Sequence, residues 1–366
     1  MRLSAATSFV TLAVAALATL VLTGCSGSEP TPTPAPDATP TPPYGLPPLT
    51  LPADEAPHDF QTEWWYFNAH FTDDQGARYA LHDVVFQVQQ LGSSRTLYVR
   101  QIGLVDETSG VHSNAERLRT ADSPLEAKPG DFEIAIGDGM MSGDGGELYR
   151  LVGSVRGINY DLTLTLAGDD PASSALLHDD DGLVDFGDAG VTYYYSQPRL
   201  ELVGTLTTAG GPRTVTGLGW MDKQWGDFQP VAVFWDWASV QLDDGTDLML
   251  TRLTDANRDP IDVYATLRRP GGDTRRLHEA EFTFEPLADQ WVSDATGTEY
   301  RTRWRVEVPD EDLAFTLEPL VVESEFASAF LGVVYWEAGV DVVDDSENRI
   351  GQGFIELNWA RNFLVE

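Results

Sequence analysis

From His58 onward the sequence predicts an all-β protein built as two β-barrels in tandem. Three observations predict it: short alternating runs of β-branched and aromatic residues, Gly/Asp turns at hairpin spacing, and an internal echo about 170 residues apart.

The runs come in pairs. ELYRLVGSVRG leads into INYDLTLTL, PRLELVGTL is joined to RTVTGLGW through TTAGGP, and WASVQL is joined to DLMLTRL through DDGT. Gly and Asp tolerate positive φ, which tight hairpin turns require. No amphipathic run of three helical turns stands out, although LEAKPGDFEIAI (residues 125–136) and EFASAF (residues 325–330) have room for short helices. The echo sets WWYFNAHF, which runs on to Asp73, Asp74 and Gly76, against WDWASVQL, which runs on to Asp243, Asp244 and Gly245. Each is a Trp-led strand ending in an acidic Gly turn. Closed barrels abolish exposed edges, so two closed or nearly closed barrels are the economical architecture, with a two-sheet sandwich as the alternative. The join is expected near residues 207–216, which gives barrels over residues 58–210 and 211–366.

The upstream region reads as export and attachment. Residues 1–24 carry one early base, Arg2, an apolar run, and Leu22-Thr23-Gly24 before Cys25. That is a secretory signal with a small-residue cleavage site. It is similar to a bacterial lipobox, which implies Cys25 as the lipidated first residue of the mature protein, with palmitate-type acyl chains. An ordinary signal peptide, or an uncleaved anchor with an incidental cysteine, is the competing reading. Cys25 is the only cysteine in the chain, so the fold has no disulfide to lean on. Ten of the 22 prolines lie between Pro30 and Pro52, so residues 25–57 read as an extended, semi-rigid tether. The expected location is outside the cytoplasm, lipid-anchored to a bacterial cell membrane, at the cell surface or in the periplasm.

The formal net charge is −35 at pH 7, a balance that repels phosphate backbones and argues against nucleic acid as a partner. Salt tolerance and solubility are the plain readings of the same excess. The six histidines are scattered without metal-ligand spacing, and no G-x-S-x-G elbow, phosphate loop or dinucleotide fingerprint occurs in context. Metallohydrolase, serine hydrolase and nucleotide-dependent chemistry therefore drop away, and neither a metal nor an organic cofactor is expected.

Aromatic residues interleaved with carboxylates remain. Period-two alternation puts Glu63 on one face of its run with Trp65, Phe67, Ala69 and Phe71, and Trp64, Tyr66, Asn68 and His70 on the other. In the second Trp-led run Asp236 shares a face with Ala238, Val240 and Leu242, opposite Trp235, Trp237, Ser239 and Gln241. In GLGWMDKQWGDF, Leu218, Trp220 and Asp222 are in phase. A carboxyl on an apolar face is desolvated and its pKa moves upward unless cations or donors offset it. Glu63, Asp222 and Asp236 are thus candidate acids beside Trp220, Trp225, Trp235 and Trp237. The structural reading competes: strand-end carboxylates commonly cap turns, and tryptophan pairs commonly fill cores.

The same residues carry a family resemblance. HDFQTEWWYFNAHFTDDQGARYALHDVVFQ, YYYSQPRLELVGTL, GLGWMDKQWGDF, WDWASVQLDDGTDLMLTRL and YWEAGVDVV…GQGFIEL occur in one order and together resemble the AttH-like / carotenoid 1,2-hydratase family of lipocalin-like proteins. The resemblance implies two consecutive lipocalin-like barrels. It also implies a hydrophobic small-molecule ligand, and activities that add water to an isolated C=C of a carotenoid or prenyl group. Fungal relatives act on prenylated phenolics or catalyse cyclisations, and many bacterial members have no assigned activity. Carried onto this chain, the resemblance implies Asp222 and Asp236 as proton donors and Glu63 as the group that orients water. It implies a ligand wall of Trp64, Trp65, Tyr66, Tyr194, Trp220, Lys223, Trp225, Trp235 and Trp237. One departure stands out: where the family pattern reads W-M-D-H-E-W, this chain has Lys223 and Gln224 in place of His and Glu. Three functional readings follow. The first is a membrane-tethered binder of an isoprenoid- or carotenoid-like molecule, with a membrane transporter as a candidate partner. The others are a hydratase and a structural envelope lipoprotein.

Overall fold

The computed structural model describes residues 43–89, 95–168, 170–229, 232–255 and 257–358. The signal segment, Cys25 and the tether up to residue 42 lie outside the described residues. The chain from Leu46 onward forms one compact unit. No helix among the described residues is long and apolar enough to cross a membrane.

The first half builds a 12-stranded antiparallel sheet. Its strands are β1 (Thr62–Asp73), β2 (Arg78–Gln89), β3 (Thr96–Asp106), β4 (Val111–Ala121), β5 (Asp131–Ile136) and β6 (Gly139–Asp144). They continue with β7 (Leu148–Val155), β8 (Ile158–Leu166), β9 (Leu176–Leu177), β10 (Leu183–Asp185), β11 (Val191–Thr208) and β12 (Gly211–Gly226). The sheet runs β4-β3-β2-β1-β12-β11-β8-β7-β6-β5, with β9 and β10 also on β11. The last strand returns to the first: Thr62 pairs with Gly226 and Asp73 with Val215.

The second half repeats the plan. It contributes β13 (Val233–Leu242), β14 (Asp247–Asp255), β15 (Pro260–Arg268), β16 (Thr274–His278), β17 (Thr283–Pro286) and β18 (Gln290–Val292). After these come β19 (Glu299–Arg301), β20 (Trp304–Val308), β21 (Leu313–Pro319), β22 (Glu325–Ala327), β23 (Val334–Val343) and β24 (Arg349–Asn358). Ten of them form a sheet in the order β16-β15-β14-β13-β24-β23-β21-β20-β17, with β22 on β23 and the β18–β19 hairpin apart. Here too the first strand pairs with the last. The protein is all-β: a nearly closed barrel followed by a half-barrel, the lipocalin-like tandem. β1 and β13, the two echo strands, occupy equivalent places in it.

Local chemistry explains the hairpins. The β7–β8 turn is Arg156-Gly157, both at positive φ, and the β13–β14 turn carries Gly245 at φ 92°. Two sequence expectations are corrected. The segments considered for short helices hold β5 and β22, because Phe132, Ile134 and Ile136 alternate inward while Glu133 and Ala135 stay exposed. The chain changes sheet between Gly226 and Val233, not at residues 210–211. That join falls at the β11–β12 turn, and β12 is held by both β1 and β11.

Three apolar clusters fill the described part of the chain. One, with Trp65, Phe67, Leu162 and Trp225, lies inside the first sheet. A second, with Val240, Trp304, Trp336 and Ile355, lies inside the other. The third contains Tyr66, Val84, Trp220, Trp237, Met249 and Phe354, and so draws on both sheets where they face each other. Gly339 of β23 permits that close approach, since a Cβ there would stand 2.5 Å from the Ala80 Cβ of β2. Gly339→Val is expected to wedge the sheets apart and cost about 2 kcal/mol, read as a lower urea midpoint.

Candidate functional site

Alternation along four strands decides where each candidate side chain points. On β1, Glu63, Trp65 and Phe67 face into the first barrel, while Tyr66 joins the cluster between the sheets and the half-buried Trp64 packs against it. On β12, Met221 and Trp225 join the first barrel's core, and Trp220 faces the space between the sheets with Asp222 and Gln224 in phase. On β13, Ala238 and Val240 enter the second core, whereas Trp237 and Trp235 belong to the inter-sheet cluster.

The three candidate acids therefore lie in three places. Glu63 is fully buried in the first barrel, where it is ion-paired to Lys223. It also accepts hydrogen bonds from the His58 backbone N–H at 2.8 Å and Gln87 Nε2 at 3.1 Å. Lys223 Nζ stands 3.6 Å over the Trp65 ring and 5.2 Å from that of Trp225. Burial lowers its pKa and Glu63 opposes the shift. Trp225 is stacked against His58 and Tyr193, with ring centroids at 4.3 and 4.8 Å. Leu46, Leu49, Leu51 and Phe60 pack against this core, and the Glu55 carbonyl accepts the Trp65 indole N–H at 3.2 Å. Asp236 is buried on the inner face of the second sheet, 3.9 Å from the Arg252 guanidinium. Expecting one pocket with Glu63, Asp236, Trp65, Lys223 and Trp225 beside Asp222 is thus corrected: successive β residues point to opposite faces, and here both faces are buried.

Between the sheets, Asp222 is the focus. Its Oδ2 accepts from Tyr194 Oη at 2.7 Å, and its Oδ1 accepts from Ser196 Oγ at 2.5 Å and Trp220 Nε1 at 2.6 Å. Tyr194 Oη in turn accepts from Trp237 Nε1 at 2.8 Å, which joins the two sheets through one hydroxyl. Ser196 Oγ, having given its proton to Asp222, accepts from His178 Nε2 at 2.8 Å. That leaves His178 Nδ1 to accept from Thr266 Oγ1 at 2.9 Å. Desolvation holds His178 neutral, with its pKa near 3. Asp222 is pushed up to about 6: burial raises it, and Ser196, Tyr194 and Trp220 recover part of the shift.

Two further carboxyls share this space, and sequence reasoning missed both. Glu337 on β23 and Glu356 on β24 sit directly opposite each other in register. Glu337 accepts from Tyr66 Oη at 2.5 Å and lies 3.2 Å from His82 Nδ1. Burial and the neighbouring Glu356 raise its pKa well above the ordinary value. Glu356 accepts from Trp235 Nε1 at 2.9 Å, and burial pushes it up to about 7. Parity within YWEAGVDVV and GQGFIEL marks each as facing away from the barrel interior, but no sequence signal says that β23 and β24 pair in this register. At the far end of β1 an open cleft of about 450 Å³ is lined by His70, Arg78, Leu218, Arg349 and Gln352. Both of its arginines are ion-paired to Asp341.

The AttH-like family profile matches residues 42–359. The chain belongs to the AttH-like family. A protein described as an AttH from Nitrosomonas europaea is 26% identical, with a TM-score of 0.75 over 88% of this chain and 99% of that one. Kievitone hydratase from Nectria haematococca is 15% identical, with a TM-score of 0.66 over 87% and 94%. CghA with Sch210972 is 15% identical, with a TM-score of 0.51 over 82% and 89%. The last two likenesses speak for the fold alone. No curated protein matches the chain.

Lys223 and Gln224, neighbours in sequence, therefore play different parts. Lys223 faces the first barrel and pairs with Glu63, so it belongs to a core and not to the inter-sheet space. Gln224 faces that space.

Two measurements test this geometry. Asp222 carries its proton in both folded and unfolded chains well below pH 3.8. As pH rises, the unfolded carboxyl ionises near 3.8 and the folded one only near 6. Stability present at low pH is therefore lost through that window, by about 3 kcal/mol. Carbon-13 carboxyl titration is expected to show a midpoint near pH 6 that Asp222→Asn removes. Lys223→Met strands the Glu63 charge and is expected to cost about 3 kcal/mol in chemical denaturation, with no change in affinity for a ligand held between the sheets.

Proposed function

We propose that this protein binds a hydrophobic, isoprenoid- or carotenoid-like molecule between its two sheets, and is held at a bacterial membrane by lipidated Cys25. One observation carries the ligand reading: Trp64, Tyr66, Tyr194, Trp220, Trp235 and Trp237 belong to a single aromatic cluster packed between the sheets around Asp222. Aromatic walls with a few placed polar groups suit an apolar ligand that must be oriented. The attachment reading rests on the Leu22-Thr23-Gly24-Cys25 sequence and the proline-rich segment after it.

The raised Asp222 carboxyl favours a second reading, hydration of an isolated C=C. A protonated Asp222 would pass its proton to one alkene carbon, leaving a tertiary cation at the other. The faces of Tyr66, Trp220 and Trp237 would stabilise that cation by about 2 kcal/mol or more once water is excluded. A water oxygen would then bond to the cationic carbon and release a proton to Glu356 or back to Asp222, so that only water is consumed. Support comes from the placement of Asp222, and by analogy from the hydratase named among the structural neighbours.

Native mass spectrometry of protein purified from its own membranes is expected to show a co-purifying apolar molecule, and Trp237→Ala to weaken its binding about tenfold. An empty protein that also binds no added prenyl or carotenoid compound sinks the ligand reading and leaves the structural one. For hydration, incubation with such compounds is expected to yield a water adduct. Asp222→Asn should lower its rate at least about a hundredfold, while Asp236→Asn, on the opposite face of β13, leaves it unchanged. Full activity in Asp222→Asn ends the hydration reading.

A further inference from the structure

Gln224 is a polar group between the sheets that the network around Asp222 does not use. Its residue is only 4% exposed, and its Nε2 has no hydrogen-bond partner among the described residues. The neighbouring donors are all engaged. Tyr194 Oη and Trp220 Nε1 are bound to Asp222, Trp237 Nε1 to Tyr194, and Trp235 Nε1 to Glu356. A buried amide left unsatisfied carries its full desolvation cost, so a ligand that meets it gains more than the bond itself.

The position is well defined. Gln224 is in register with Trp64 of β1 on one side and Tyr194 of β11 on the other. Trp64 packs edge-on against Phe86 and Phe228, with centroids at 6.0 and 5.5 Å. Trp64, Phe86 and Trp235 are the half-buried aromatics of this cluster, whereas Trp220, Phe228 and Trp237 are buried. The apolar wall with surface still accessible thus includes the register neighbour of the unpartnered amide. Asp222 lies two residues along the same face, roughly 7 Å away by strand rise.

We infer that Gln224 selects an apolar ligand bearing an oxygen acceptor, a carbonyl or ether, whose oxygen takes the Nε2–H while its chain lies on Trp64 and Phe86. This deepens the ligand reading proposed above and rests on it. A bare hydrocarbon leaves the amide unsatisfied. A ketone satisfies it and places carbons a few bonds away beside Asp222. Glutamate at this position would ask instead for a hydrogen-bond donor on the ligand.

The test compares geranylacetone with the hydrocarbon of the same skeleton, by tryptophan quenching on the whole mature protein. Wild type is expected to bind both. Gln224→Leu should weaken the ketone about fivefold, the worth of one hydrogen bond, and leave the hydrocarbon unchanged or tighter. Gln224→Glu keeps the volume but loses the donor when ionised, and should weaken the ketone to a similar degree. It decides the matter if the leucine variant does not fold. A ketone affinity that survives in a folded variant, or equal losses for both ligands, overturns the role of Gln224 while leaving the ligand reading standing. Failure of wild type to bind either compound overturns both.

Discussion

The strands at the centre of this molecule are buried on both faces. β1 and the second half of β12 pair with each other inside the first sheet, and β13 and β24 do so inside the second. Their outer faces then pack sheet against sheet. A polar side chain on such a strand has no route to water whichever way it points, so each must be satisfied by another protein group or stay as a cost. The polar chemistry of the protein follows from that constraint.

The constraint has been met in different ways on the two faces. Inside the first barrel the answer is charge pairing: Lys223 with Glu63, and Arg100 with Asp83, whose carboxylate also accepts from Tyr160. Complete ion pairs of this kind hold a core together and keep both partners charged. Between the sheets no full counter-charge among the described residues pairs with Asp222 or Glu356. Asp222 is met by two hydroxyls and an indole N–H, and Glu356 by an indole. Neutral donors recover less of the desolvation cost than a cation does, so these carboxyls retain protons at higher pH. Glu55 is the exception inside the first barrel: it meets the Tyr149 hydroxyl and no direct ion-pair partner among the described residues, and burial raises its pKa too.

The hydrogen-bond chain from Thr266 through His178 and Ser196 to Asp222 shows how far the interface is specified. Each hydroxyl has one proton to give, so ionised Asp222 sets the direction of every bond behind it, including the histidine tautomer. Residues from β15, the β9–β10 loop, β11 and β12 all contribute. That spread ties the state of one carboxyl to the contact between the sheets.

Much of the fold was legible in the sequence, because strand alternation, hairpin turns and the Trp-led echo are local properties that each segment carries on its own. Alternation also sorted Glu63 from Tyr66, and Asp236 from Trp235 and Trp237, onto opposite faces. What a single strand cannot carry is the identity of the space that each face meets. Asp222, Glu337 and Glu356 come together because β12, β23 and β24 lie in two sheets that pack against each other, and registry between distant strands is settled by the whole core. Lys223 and Gln224 make the point most sharply. Adjacent in sequence, they lie on opposite sides of β12 because the pleat alternates; the interior of the first barrel made one a core ion pair, and the packing of the second sheet made the other part of the candidate site.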